Sequence, residues 1–176
     1  MKLTVLSGGP RKTGRTRIAA KHIADKYGAE LADLSELELP VFAGEPSQYE
    51  LESVKTLQEK VKDADGIVLI SPEYHGGMTG ALKNALDFLN SDYFAQKSVA
   101  LLTVAGGGKG GINTLNQLRV VMRALYANAI PKQLVLDPHC FDAENDDLFE
   151  EPAALVKELM NELQAYTKMT NELRKG

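Results

Sequence analysis

Three glycine-rich stretches, each directly after a short apolar run, constrain this chain more than any other feature. Gly8, Gly9 and Gly14 follow residues 3–6. Gly76, Gly77 and Gly80 follow residues 66–71. Gly106, Gly107, Gly108, Gly110 and Gly111 follow residues 98–104. These stretches hold eleven of the fifteen glycines. A short apolar run that stops at glycine reads as a buried strand ending in a tight loop. Residues 29–34 and 133–136 read as two further strands. Between the strands, apolar residues recur at helical spacing in 15–27, 50–62, 78–89 and 112–128, and again after the last strand in 152–167. Gly28 marks the end of the first helix and Pro131 the end of the fourth region. Five strands alternating with five helices, with strands apolar throughout, predict one α/β domain over 1–176. Its parallel sheet is covered on both faces. In such sheets ligands bind outside the carboxyl ends of the strands. All three glycine loops fall at that edge, so they are placed to meet on one ligand.

Charge narrows the ligand class. Twenty Lys and Arg against 24 Asp and Glu give a net charge of −4, which argues against a broad nucleic-acid face. No apolar run approaches the ~18 residues of a membrane span. Met1–Leu6, the six residues before the first loop, are too short for the apolar core of a signal peptide. The single cysteine, Cys140, excludes an internal disulfide framework. These features predict a cytoplasmic protein without nucleic-acid or membrane partners. His22, His75 and His139 are scattered and show no metal-ligand spacing. The acidic residues between Glu144 and Glu151 read as a solvated face before the last helix.

The first loop, Ser7-Gly8-Gly9-Pro10-Arg11-Lys12-Thr13-Gly14-Arg15-Thr16-Arg17, carries four of the chain's cations at the start of a helix. Cations there oppose the helix dipole unless an anion sits among them. This predicts a phosphate cradle. Gly9-x4-Gly14-Arg15-Thr16 comes close to a nucleotide-binding P-loop but has arginine where lysine is needed. The third and fourth strands also end in Ser71 and Val104, not in a metal-holding aspartate. The second loop brings Pro72, Glu73, Tyr74, His75 and Gly76, with one aromatic surface beside bare backbone. In the third, Gly106-x-Gly108-x-x-Gly111 matches a dinucleotide fingerprint only formally, because it follows the wrong strand and lacks the later acid. Its backbone N–H groups suit the polar edge of a ring instead.

Pro72-Glu73-Tyr74 followed by Gly80-Ala81-Leu82-Lys83-Asn84-Ala85-Leu86-Asp87 resembles the NAD(P)H-dependent FMN reductases of flavodoxin-like fold. The Gly-Gly-Pro-Arg and Ala-Gly-Gly-Gly loops sit at matching intervals. The resemblance covers essentially the whole chain. It implies a five-stranded sheet in the order 2-1-3-4-5. It also implies bound FMN, NADPH or NADH as transient donor, and two-electron reduction of quinones, azo compounds or similar small acceptors. Gly9, Arg11, Gly14, Arg15 and Thr16 would hold the phosphate end. Pro72, Glu73, Tyr74, His75 and Gly76 would line the ring and ribityl chain, and Ala105, Gly106, Gly107 and Lys109 would close the other side. No catalytic side chain is implied, since the cofactor carries the chemistry. Three positions depart from the family's habit: Gly9 for serine, His75 for asparagine and Thr79 for proline. A flavodoxin-like electron carrier with a protein partner is the alternative. The resemblance also implies a homodimer or homotetramer, in keeping with Val120, Val121, Ala124 and Tyr126, which widen the apolar surface of the helix expected at 112–128.

Overall fold

In the computed structural model, which describes residues 1–108 and 110–174, the apolar runs form one parallel sheet in the order β2-β1-β3-β4-β5. The strands are β1 (Leu3–Ser7), β2 (Glu30–Asp33), β3 (Gly66–Pro72), β4 (Ser98–Val104) and β5 (Asn128–Leu136). Every residue of β1, β3 and β4 is buried, which explains their unbroken apolar character; the edge strands β2 and β5 are partly exposed. One face packs on α1 (Arg15–Tyr27) and α6 (Glu150–Leu173). The other packs on α2 (Glu52–Lys62), α3 (Gly80–Asp87) and α5 (Ile112–Ala124). A short α4 (Ser91–Phe94) precedes β4. The strand order places the switch point between β1 and β3, as the resemblance implies.

Three boundaries differ from the sequence reading. The helix expected over 112–128 stops at Ala124, where Tyr126 turns into the left-handed region (φ 58°), and β5 starts at Asn128. Pro131 does not end the region; it lies inside β5. Val99 pairs with Ala129 but Leu101 pairs with Gln133, so Pro131 falls in a bulge on an edge strand. Its missing N–H breaks no ladder there. Arg119 of α5 holds the bulge, donating to the carbonyls of Ile130 and Pro131 at 2.9 and 3.0 Å. The last helix is longer than expected, and Glu150 and Glu151 in its first turn suit the helix dipole.

The acidic stretch before α6 is not merely solvated. It forms a hairpin, β6 (Phe141–Asp142) with β7 (Asp147–Leu148). The Asp142 carboxylate accepts the backbone N–H groups of Glu144 and Asn145 and so builds the turn. Asp147 pairs with the buried His22 of α1.

At the amino-terminal edge of the sheet the polar groups satisfy one another. The Thr4 hydroxyl donates to the Lys60 carbonyl at 2.9 Å, and the Asp65 carboxylate accepts the Lys2 N–H at 2.7 Å. Lys97 is 3% exposed, and its ammonium donates to the carbonyls of Val61 and Lys62, both at 2.7 Å. It thereby caps the carboxyl end of α2. Among the described residues, no helix is long and apolar enough to cross a membrane.

Candidate functional site

The carboxyl edge of the sheet opens into a shallow cleft. Ten of the predicted residues line it: Gly9, Arg11, Gly14, Arg15, Thr16, Pro72, Glu73, Tyr74, Ala105 and Gly106. The three loops therefore meet as expected. Pro10, Arg17 and Val104 join them. His75, Gly76 and Gly107 stand outside the lining, and Lys109 lies outside the described residues.

The first loop runs from β1 into α1. Gly14 caps the helix with φ 149°, and no side chain closes that end. Its carbonyl accepts the N–H groups of Arg17 and Ile18, while the N–H groups ahead of them have no intrahelical partner. No acidic residue occupies the first turn. Among the described residues, Arg11 and Arg15 have no carboxylate partner. The Arg11 guanidinium lies 5.8 Å from the centroid of the Tyr74 ring instead. Arg17 is different: it pairs with Asp33 at 2.9 Å and with Glu36, and donates to the Lys12 carbonyl at 2.9 Å. Of the arginines in the cluster, Arg17 is neutralised and shapes the loop, and Arg11 and Arg15 are not paired with a carboxylate among the described residues.

Gly9 packs closely on Thr16. A Cβ there would meet the Thr16 side chain at 3.1 Å, so a larger residue at 9 would press on Thr16. By contrast, a Cβ at Gly14, Gly106, Gly107 or Gly108 would meet nothing within 4 Å. The backbone at these positions faces open space, which a flat or anionic ligand can approach closely.

The second loop is a two-residue hairpin turn. Tyr74 and Gly77 exchange both backbone hydrogen bonds, and the central residues His75 and Gly76 have φ of 53° and 76°. Two positive φ values make this a type I′ turn. His75 thus holds a position that asparagine or glycine would adopt with less strain.

Two buried hydroxyls that sequence reading passed over tie the loops together. Thr79 caps α3 by accepting the Leu82 N–H at 3.0 Å, and its hydroxyl donates to the Gly8 carbonyl at 2.6 Å. The Ser71 hydroxyl accepts the Thr79 N–H at 3.2 Å. The capping position of Thr79, three residues before Leu82, was the available sequence signal. Asn84 of the Gly80–Asp87 motif clamps a fourth segment, accepting the Phe42 N–H and donating to the Pro40 carbonyl, both at 2.8 Å.

Glu73 carries the second loop to the third. Burial would raise its carboxyl, but the N–H groups of Gly111 and Thr114 reverse this and hold it below its ordinary value. The Thr114 N–H lies 3.1 Å from the carboxylate at the amino end of α5. Glu73 is therefore an ionised clasp on that helix end. Gly111 could not be another residue: its φ is 93°, and a Cβ would meet the Thr103 methyl at 2.5 Å.

Comparison with known proteins agrees with this fold. Residues 1–142 match the NADPH-dependent FMN reductase family. The chain is 53% identical over 175 residues to an NADPH azoreductase of Bacillus sp. (strain OY1-2), covering 99% of this chain and 97% of that protein. It is 37% identical to the FMN-dependent NADPH-azoreductase of Staphylococcus aureus, covering 84% of this chain and 82% of the relative. Among solved structures, the flavoenzyme NAD(P)H:(acceptor) oxidoreductase FerB from Paracoccus denitrificans has the same fold. Its TM-score is 0.74 at 19% identity, covering 97% of each chain.

Proposed function

The chain belongs to the NADPH-dependent FMN reductase family, and on that premise we propose that the cleft at the carboxyl edge is its FMN site. The protein is an FMN-dependent NAD(P)H oxidoreductase with a flavodoxin-like fold. One observation carries the site assignment: the three glycine loops converge beside a helix amino end that has arginines and no acid. Arg11, Arg15 and the free N–H groups of the first turn of α1 hold the phosphate. Thr16 adds a hydroxyl, and Gly9 and Gly14 let the backbone approach. Pro72, Glu73 and Tyr74 form one wall of the ring site, and Ala105 and Gly106 form the other.

When bound, FMN supplies two-electron transfer from NAD(P)H to an acceptor. The protein's part is orientation and electrostatics. Backbone N–H groups of the third loop stabilise negative charge at the ring edge. Glu73 serves this indirectly, fixing the loop by its hold on Gly111 and Thr114. Solvent supplies protons, so no side chain is assigned as acid or base. Azo compounds and quinones are the proposed acceptors, by kinship with the azoreductases and because the chemistry needs only a planar acceptor beside the ring.

A second copy of the chain is the proposed partner. Met78, Lys83, Gln117, Val120 and Val121 line an apolar groove between α3 and α5, and Val120 and Tyr126 are 68% and 72% exposed. Exposed apolar surface of this kind marks an interface. Sedimentation should give a dimer or tetramer that Val120→Glu dissociates. A cytoplasmic setting accords with the lone cysteine and with the donor's intracellular supply, and fractionation checks it.

The direct test of function is spectroscopic and kinetic. Purified protein should be yellow or take up FMN, and should oxidise NADPH steadily with an azo dye or quinone. Failure to retain or take up FMN would remove the site assignment. Flavin binding without turnover of any small acceptor would favour an electron carrier.

A further inference from the structure

We propose that the β6–β7 hairpin is a cofactor-positioning element, in which Phe141 holds the Arg15 guanidinium at the mouth of the phosphate cradle. The proposal rests on the reading of Arg15 as a phosphate ligand. The Arg15 guanidinium carbon lies 6.0 Å from the centroid of the Phe141 ring, at the outer range of a cation–π contact. Arg15 lines the cleft and, among the described residues, has no carboxylate partner. Arg17 differs, because its partners Asp33 and Glu36 both hold and neutralise it. An aromatic ring orients a guanidinium without cancelling its charge, which is what an anion ligand needs.

The ring is itself fixed. Phe141 is 7% exposed and packs in the core between the sheet, α1 and α6 together with Leu148. The Cys140 carbonyl accepts the Phe149 N–H at 3.1 Å, which closes the hairpin's base. Asp142 builds its turn. Asp147 pins it to α1 through the buried His22, about two helical turns beyond Arg15 on the same side of the helix. The family match ends at residue 142, so the return strand and the Asp147 anchor lie beyond it. The support for Arg15 thus comes from a segment some 126 residues downstream of it, outside the glycine loops altogether.

The test titrates flavin-free full-length protein with FMN and with riboflavin, which lacks the phosphate, following flavin fluorescence. Arg15→Gln should weaken FMN about tenfold or more and leave riboflavin unchanged. Phe141→Leu should weaken FMN about threefold to tenfold, again sparing riboflavin, and Phe141→Tyr should restore the wild-type ratio. In an Arg15→Gln background, Phe141→Leu should have no further effect on FMN. Asp147→Asn, which loosens the hairpin without touching its core, should move the ratio in the same direction by a smaller factor. Equal weakening of both flavins by Phe141→Leu, or a persisting effect in the Arg15→Gln background, would overturn the positioning role alone. An unchanged ratio in Arg15→Gln would overturn the phosphate reading and this proposal with it. If Phe141→Leu does not fold, an unchanged ratio in Asp147→Asn overturns the proposal.

Discussion

Lys97 and Arg11 are cations at opposite ends of the same sheet, and they are treated in opposite ways. At the amino-terminal edge, Lys97 is buried and spends its hydrogen bonds on the Val61 and Lys62 carbonyls. Thr4 and Asp65 beside it are likewise matched within the chain. Gly66 is packed so tightly that a Cβ would meet the Thr167 hydroxyl at 2.5 Å. At the carboxyl edge, Arg11 is exposed and rests on the Tyr74 ring; the amino end of α1 has no acid, and Gly14 and Gly106 face open space. One edge is complete by itself. The other leaves cations, helix N–H groups and bare backbone without partners among the described residues. Strand and helix formation serves both edges equally, so the difference lies in the loops and caps.

Four substitutions probe that contrast, the largest effect first. Arg11→Ala should weaken FMN by about 1.5–3 kcal/mol, the value of a hydrogen bond to a charged group, without changing the Tm of flavin-free protein. Lys26→Ala, remote on α1, is the control, and equal effects of the two would break the contrast. Lys97→Met should do the reverse, costing about 1–3 kcal/mol of stability by leaving buried carbonyls unmet while sparing FMN affinity. It also carries a pH signature. Burial, with Arg174 adding to it, pushes the Lys97 ammonium down to about 8 from 10.5. Between those values the unfolded chain holds more of this proton than the folded one. The wild type should therefore gain stability relative to Lys97→Met as pH rises through that window, as read by urea melts across pH 8–10.5.

Thr79→Val cuts the bond between the second and first loops and removes the cap of α3. It should cost about 1–2 kcal/mol and lower FMN affinity as well, since it is the buried tie on which the open edge depends. Loss of stability with intact FMN binding would separate the two. His75→Gly is the smallest case. Relief of the left-handed backbone should offset the added freedom of the unfolded chain, leaving the unfolding free energy within about 1 kcal/mol of wild type. A larger loss would mean that the His75 side chain itself supports the site.

The sheet was readable because its strands are buried on both faces and end at glycine. Burial wrote itself as continuous apolar runs, and loop geometry as glycine placement. The cleft was readable for the same reason, since all three loops lie at one edge of one sheet. What was not readable depended on contacts between distant residues. Pro131 looked like a stop because a bulge on an edge strand leaves no local mark. The β6–β7 hairpin has two-residue strands, too short for any period, and Asp147 reads as solvated because its partner His22 lies 125 residues earlier. Arg17 looked equal to its neighbours in the cluster, and only Asp33 and Glu36, 16 and 19 residues away, distinguish it. Lys97 carries no motif at all, because the carbonyls it caps lie 35 and 36 residues earlier.

The central claim is that the open edge is built around a phosphate. Its most direct measurement is the ratio of riboflavin to FMN dissociation constants for the wild-type protein. Two arginines and a free helix end predict FMN tighter by about 100-fold or more. Equal affinities for the two flavins would contradict the account.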